Sequence, residues 1–435
     1  MTRTYCRSIM CLALGMGLLL ASTTPSRAYA VLTHRAIIDY SWRHMIKPHL
    51  HVRFPDKSDK ELEDAKAYAY GGAIIQDLGY FPFSSTFYSD LTHYVRTGDF
   101  VRALLKDADE KNDLAEYTFA LGALEHYVAD CNGHSKATNR AVAVYFPNLD
   151  PKRTGIVTYE DDHTSHSRAE FGFDVSEVVK NHYPSNVYYD RVGFKVPKAL
   201  LERAFKETYG IEMKDIFHSV DVSISVYSDS VQELIPAAAQ IAWSRKSDEI
   251  KKNHPEGITR EQFLIKRSRL KPEDRPLGYY KRPNLMARLL AFVFRIVPNR
   301  GPFSAFNPIL PSEDPDTSKN TERMFWESRI ATHEVYKTKL EDIQAKRIEL
   351  PNMNFDTGQL TKRGDYRSTD ETYAKLLRSL AAKKFKDVSP ELRGNILDFF
   401  ATPAVWPVTK EEKAKWATTM RALEQLKSTP AEMKH

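Results

Sequence analysis

Cysteine is scarce in this chain: three occur in 435 residues, and Cys6 and Cys11 lie close to the N-terminus. Once that end is set aside, Cys131 stands alone, so internal disulfides are excluded and stability must come from packing, with bound metal as the other available cross-link. Glycine fingerprints are missing too. There is no Walker loop and no dinucleotide GxGxxG, and neither HExxH nor GxSxG occurs, which removes the common nucleotide, metalloprotease and serine-hydrolase readings. Short-period repeats, low-complexity runs and alternating strand patterns are also lacking.

An excess of one charge is absent as well. The 63 basic residues oppose 57 acidic ones, and a leader carrying Arg3, Arg7 and Arg27 would take three of the basic residues with it. A nearly balanced chain has no whole-protein electrostatic footprint for nucleic acid, although a local basic groove is compatible with it.

Arg3 and Arg7 precede an apolar run over residues 9–21, and small or polar residues follow at 22–28. The run is short for a membrane span and its flanks suit a secretory signal peptide over residues 1–28, so the expectation is export, to a periplasm or outside the cell. Cleavage after Ala28 and cleavage after Ala30 both fit. Ser8-Ile9-Met10 before Cys11 lacks the small residue that a lipid-anchor site uses.

With 42% hydrophobic residues the remainder can bury a large core. Its clear periodicities are helical, over 59–75, 117–132, 220–250 and 373–384, and Ser58 with Glu61 forms a capping-box signal at the first. Pro-rich zones at 272–283 and 307–319 divide a front part, 29–270, from a helical C-terminal extension, 271–435. The chemically suggestive clusters all precede residue 175, so the rear reads as scaffold or partner surface. Residues 284–298 are apolar and punctuated by Arg288 and Arg295, a pattern that suits a buried helix or one lying on a membrane surface.

The chemistry lies in two motifs. His126, Asp130 and His134 recur at intervals of four in an apolar setting, which on a helix spreads them over about 80° of one face, although Gly133 is a potential breaker before His134. His166 and Glu170 repeat the spacing. Either pair alone is better explained as an ordinary i,i+4 salt bridge or a satisfied core histidine. Two such pairs in one stretch, with an additional in-phase His, favour a metal site, and imidazole with carboxylate suits zinc. His34, Asp77 and His93 are further candidates, and a donor set too large for one tetrahedral ion suggests two or three. Close ions can acidify water and shield charge developing on a phosphoryl group. His163 is out of phase with Glu170 and ranks below His166. The other histidines have no carboxylate at ligand spacing and read as surface or structural.

In this order, His34, the Gly-rich approach to Asp77, Asp90-Leu-Thr-His93-Tyr, His126-Tyr-x-x-Asp130 and His166-x-x-x-Glu170, the chain resembles the zinc-dependent phospholipase C family, which is related in fold to the single-strand-specific zinc nucleases. The resemblance runs from about Tyr29 to Asp174. It implies an all-α, multi-helix domain holding three zinc ions: one on Asp77, His93, His126 and Asp130, a second on His134, His166 and Glu170, and a third on His34 and bridging Asp130. It makes Asp77 the carboxylate that orients or deprotonates the attacking water.

The family completes the third ion with its first mature residue, usually Trp. Here Tyr29, five residues before His34 as in the nuclease branch, takes that place. The Asp130–His134 interval is two residues shorter than in the well-known phospholipases and lacks their proline. The C-terminal third does not resemble the β-sandwich lipid-binding domain of some members. The implied activity is hydrolysis of a phospholipid phosphodiester. A single-strand nuclease or nucleotidase is a weaker match given the charge balance, and a non-catalytic, metal-stabilised envelope protein is the reading from another class.

Overall fold

The structure, a computed structural model, describes residues 31–81, 83–179, 194–228, 248, 308–403 and 409–429. Its first helix, α1 (Val31–Ser41), passes through a π-helical turn, Trp42–Ile46, into α2 (Lys47–Arg53). The backbone N–H groups at the start of α1 are met from far along the chain: Asp174 accepts Leu32 N and Thr33 N, each at 2.9 Å, and Thr33 Oγ1 at 2.7 Å. A carboxylate at a helix N-terminus satisfies orphan donors and opposes the positive end of the helix dipole. His34, one residue later, is thereby held in place.

Helix α3 (Asp59–Gly72) opens on the expected capping box, with Glu61 N donating to Ser58 Oγ and Ser58 N donating to Glu61 Oε2. It ends three residues before the periodicity does, and a 3-10 turn, Ile75–Tyr80, follows. Next come α4 (Thr86–Tyr94), α5 (Thr97–Lys111) and α6 (Leu114–Gly133). Asp113 caps α6 by accepting from Glu116 N. From Tyr117 to Asp130 every residue of α6 is buried, which marks it as the central helix.

Gly72 and Gly122 set how closely α3 approaches α6. A Cβ on Gly122 would overlap Ala69 O, and one on Gly72 would overlap Phe119 O. The contact therefore brings backbone against backbone, which puts Ala73 O within reach of His126 Nδ1 on α6.

After α6 the helix continues without a break through a π-helical turn, His134–Thr138, into α7 (Asn139–Tyr145). Gly133 does not terminate it. Helices α8 (His163–Val179) and α9 (Lys198–Tyr209) follow, and then α10 (Thr321–Gln344), which packs along α6. A two-strand hairpin pairs β1 (Met353–Asn354) antiparallel to β2 (Gln359–Leu360), with Met353 opposite Leu360. Helices α11 (Arg367–Ala382), α12 (Pro390–Ala401) and α13 (Lys410–Ser428) complete the described chain. The fold is all-α, as expected, with these two short strands the only ones among the described residues.

One hydrophobic cluster joins front and rear, taking in Leu62, Leu121 and Leu124 together with Tyr336, Phe355, Leu377 and Leu426. Tyr336 OH on α10 donates to Leu121 O at 3.0 Å. The rear helices thus share the core of the front ones. The division expected at 270/271, the leader 1–28, Tyr29, the 284–298 segment and most of the 220–250 periodicity lie outside the described residues. No described helix is long and apolar enough to cross a membrane.

Candidate metal centre

All the expected ligands except Tyr29 meet in one buried region. Helix α1 supplies His34, the 3-10 turn Asp77, α4 His93, α6 His126 and Asp130, the following π turn His134, and α8 both His166 and Glu170. Their donor atoms gather into three groups with metal-ligand spacing: His34, His126 and Asp130; Asp77, His93 and His126; His134, His166 and Glu170.

Asp130 joins the first two. Its Oδ1 lies 3.3 Å from His34 Nε2, while Oδ2 lies 3.2 Å from His126 Nε2 and 3.5 Å from His93 Nε2. Each oxygen therefore faces a different set of imidazoles, the arrangement of a bridging carboxylate. Asp77 Oδ1 stands 3.4 Å from His93 Nε2. In the third group His166 Nε2 is 3.0 Å from both Glu170 Oε1 and His134 Nδ1.

The HxxxDxxxH motif is on one face of the helix, but it does not converge on a single point. His134 is in phase with His126, yet eight residues of helix carry it about 12 Å along the axis. It therefore joins His166 and Glu170, leaving His126 and Asp130 to the other groups.

The ring orientations are fixed from outside. His93 Nδ1 donates to Ser89 O at 2.8 Å and His126 Nδ1 to Ala73 O at 3.0 Å. Glu125 places both carboxylate oxygens 3.3 Å from His34 Nδ1. In all three rings Nδ1 is engaged outward and Nε2 turns inward, as metal-ligating histidines are usually held. Glu125 was missed in the sequence because it is one position off the motif face. A glutamate inside a helix otherwise apolar all round was the available signal.

The donor set fits zinc. His93 Nε2, His126 Nε2 and both Asp130 oxygens are buried without a hydrogen-bond partner among the described residues. Buried polar atoms are rarely left so, and a cation is the partner that imidazole nitrogens and a carboxylate can share. Protonation meets part of the same demand when no metal is present. Burial disfavours charge on His34 and His93, but Glu125 and Asp130 around the first, and Asp130 and Asp77 around the second, hold each at about 10. Burial likewise opposes ionisation of Asp130, yet His126, His34 and His93 keep it well below the usual carboxylate range. His166 goes the other way, pushed well below the usual histidine value by burial and by His134 and His163.

The rear part of the chain also reaches the centre, a role beyond the scaffold or partner surface expected of it. Phe355, in the β1–β2 turn, packs its ring 5.3 Å from that of His93 and 6.0 Å from that of His126, and Phe355 N donates to His93 O at 3.1 Å. Asp356, fully buried, lies 3.4 Å from His134 Nε2. Nothing in the sequence pairs Asp356 with a histidine 222 positions earlier; Asn354-Phe-Asp-Thr-Gly358 reads only as a turn. His163 is exposed and stacks on Tyr159, outside the three groups.

A helical scaffold with buried histidine and carboxylate donors in three groups, and no thiol among them, has the donor chemistry of a zinc-binding protein. Residues 33–219 match the family model described as zinc dependent phospholipase C. Over that stretch the chain is similar to the zinc-dependent phospholipase C family, and the match contains every described candidate ligand; Asp356 lies beyond it. No curated protein and no solved structure matches the chain.

Proposed function

We propose that the chain is an exported zinc-dependent phosphodiesterase of phospholipase C type, cleaving phospholipid to diacylglycerol and a phosphorylated head group. The observation that carries this reading is Asp130, one carboxylate facing His34 on one side and His93 and His126 on the other, within a stretch of that family. The leader over residues 1–28 supports export.

Bound zinc would acidify water and offset charge developing on the phosphoryl oxygens. Residues His34, Asp77, His93, His126 and Asp130 would hold ions on one side of the centre and His134, His166 and Glu170 on the other. Asp77 is fully buried beside His93 and is the carboxylate suited to orient the attacking water and take its proton. As water adds to phosphorus, the bond from phosphorus to the glycerol oxygen breaks, and that oxygen leaves with a proton as diacylglycerol. Ser89 O, Ala73 O and Glu125 keep the imidazoles from turning as charge changes.

A second reading has its own observation. The described candidate ligands are all buried, and Phe355 covers His93 and His126. An enclosed donor set suits ions that hold a protein together without turnover. Incubating the purified protein with phosphatidylcholine vesicles and with single-stranded DNA separates the readings. Release of diacylglycerol supports the proposal, cleavage of DNA alone replaces it with a nuclease, and zinc content without turnover of either supports the structural role.

A further inference from the structure

His134 is oriented opposite to the other anchored histidines of the centre. In His34, His93 and His126 the outward nitrogen is Nδ1, engaged by Glu125, Ser89 O and Ala73 O, and Nε2 faces the donor groups. In His134 it is Nδ1 that faces His166 Nε2, at 3.0 Å, and through it Glu170. Nε2 points the other way, toward Asp356 Oδ1 at 3.4 Å.

We propose that Asp356 is the positioning residue for this ion: it accepts the Nε2 proton of His134 and so leaves the Nδ1 lone pair to bind metal together with His166 and Glu170. The inference rests on the zinc reading of the centre and extends it to a residue beyond the family match.

The surroundings of Asp356 are built for this task. Tyr94 OH donates to its Oδ2 at 2.9 Å and Tyr366 OH donates to the same oxygen at 2.5 Å, so Oδ1 is the oxygen turned to His134. Asn139 Nδ2 donates to Asp356 O at 2.7 Å, fixing the backbone. At Gly358 the turn meets the end of α6, with φ of +66° and a Cβ position that would lie 2.6 Å from Cys131 O. Only glycine accommodates both the left-handed backbone and that approach. The turn is thus locked against the helix end that carries His134. A carboxylate holding one imidazole nitrogen while the other binds metal is a recurrent outer partner, and removing it typically weakens metal binding about 10- to 100-fold.

Asp356 is distinguished from a direct ligand by the side of the ring it occupies. His166 and Glu170 gather at Nδ1, and the two imidazole lone pairs diverge, so one ion cannot sit on Nδ1 and also lie between Nε2 and Asp356.

The test uses the full chain labelled with nitrogen-15 histidine and loaded with cadmium-113, in which metal–nitrogen coupling reports which ring nitrogen is bound. The expected result is one histidine coupled through Nδ1, its signal lost in His134→Gln, and the remaining metal-bound histidines coupled through Nε2. Zinc titration of Asp356→Asn should then show one ion weakened about 10-fold or more with the others unchanged, because two tyrosine donors hold the amide oxygen and turn its NH2 toward His134. Coupling of every histidine through Nε2, or unaltered zinc affinity in a folded Asp356→Asn variant, overturns the inference. The coupling pattern is read on the unmutated chain, so a variant that does not fold leaves it standing as a test. A chain that takes up neither cadmium nor zinc overturns the zinc reading itself, and the inference with it.

Discussion

His34 Nε2 lies 3.3 Å from Asp130 Oδ1, and this contact joins the first described helix to the central one through a carboxylate that also faces His93 and His126. Asp130 is therefore the group on which two of the three donor groups depend. Asp130→Ala should leave three imidazoles without their shared counter-charge. The expected outcome is loss of the ions on the His34 and His93 sides, retention of the one at His134, His166 and Glu170, and a destabilisation of about 3–5 kcal/mol, as for other broken buried pairs. Zinc analysis with denaturant unfolding checks both parts.

Metal binding should depend on pH unevenly across the centre. His34 and His93 are held at about 10 in the metal-free protein, above the ordinary 6.5. Their contribution to metal-free stability is fully present below pH 6.5 and is lost as pH rises through about 10. Zinc must displace those protons, so affinity on that side should rise with pH from 6 to 10, with about two protons released per chain near neutrality. His134 and His166 are pushed down, burial being the first cause, and the ion they share should bind with little proton release at neutral pH. Calorimetric titration in buffers of different ionisation enthalpy measures this. Uniform release, or none, would contradict it.

The helix crossing that delivers His126 gives a packing prediction. Gly122→Ala places a Cβ on Ala69 O and should cost about 1–3 kcal/mol by forcing α3 and α6 apart. Gly394, in α12, has nothing within 4 Å of its Cβ position, and Gly394→Ala should instead stabilise by about 0.4–1 kcal/mol. Chemical denaturation of the two variants compares them directly.

Phe355 should matter for both stability and access. Phe355→Ala removes a buried ring packed on His93, His126 and Tyr127 and should cost about 3–5 kcal/mol. If the centre is catalytic, opening it should also raise the rate on a small water-soluble phosphodiester. An unchanged rate together with the stability loss favours the structural role of the ions.

Much of this centre was legible in the sequence because its donors sit at helical spacing in apolar surroundings. His126 with Asp130 and His166 with Glu170 are local i,i+4 pairs, and Ser58 with Glu61 announces its helix cap in four residues. Two things were not legible. Phase alone cannot tell whether His126 and His134 share an ion, since rise along the axis separates residues that share a face. Asp356 reaches the centre through a turn whose position depends on tertiary packing of α10 on α6, for which no local pattern exists. Glu125 was missed although the apolar residues around it, on a helix buried from Tyr117 to Asp130, offered a signal that an off-face residue there would be buried as well.

The most direct measurement is the zinc content of the full chain purified without chelator. Roughly three zinc ions per chain, with a melting temperature that falls when a chelator removes them, is the result expected of this donor set. A folded chain that contains no zinc and gains no stability when zinc is added would contradict the account.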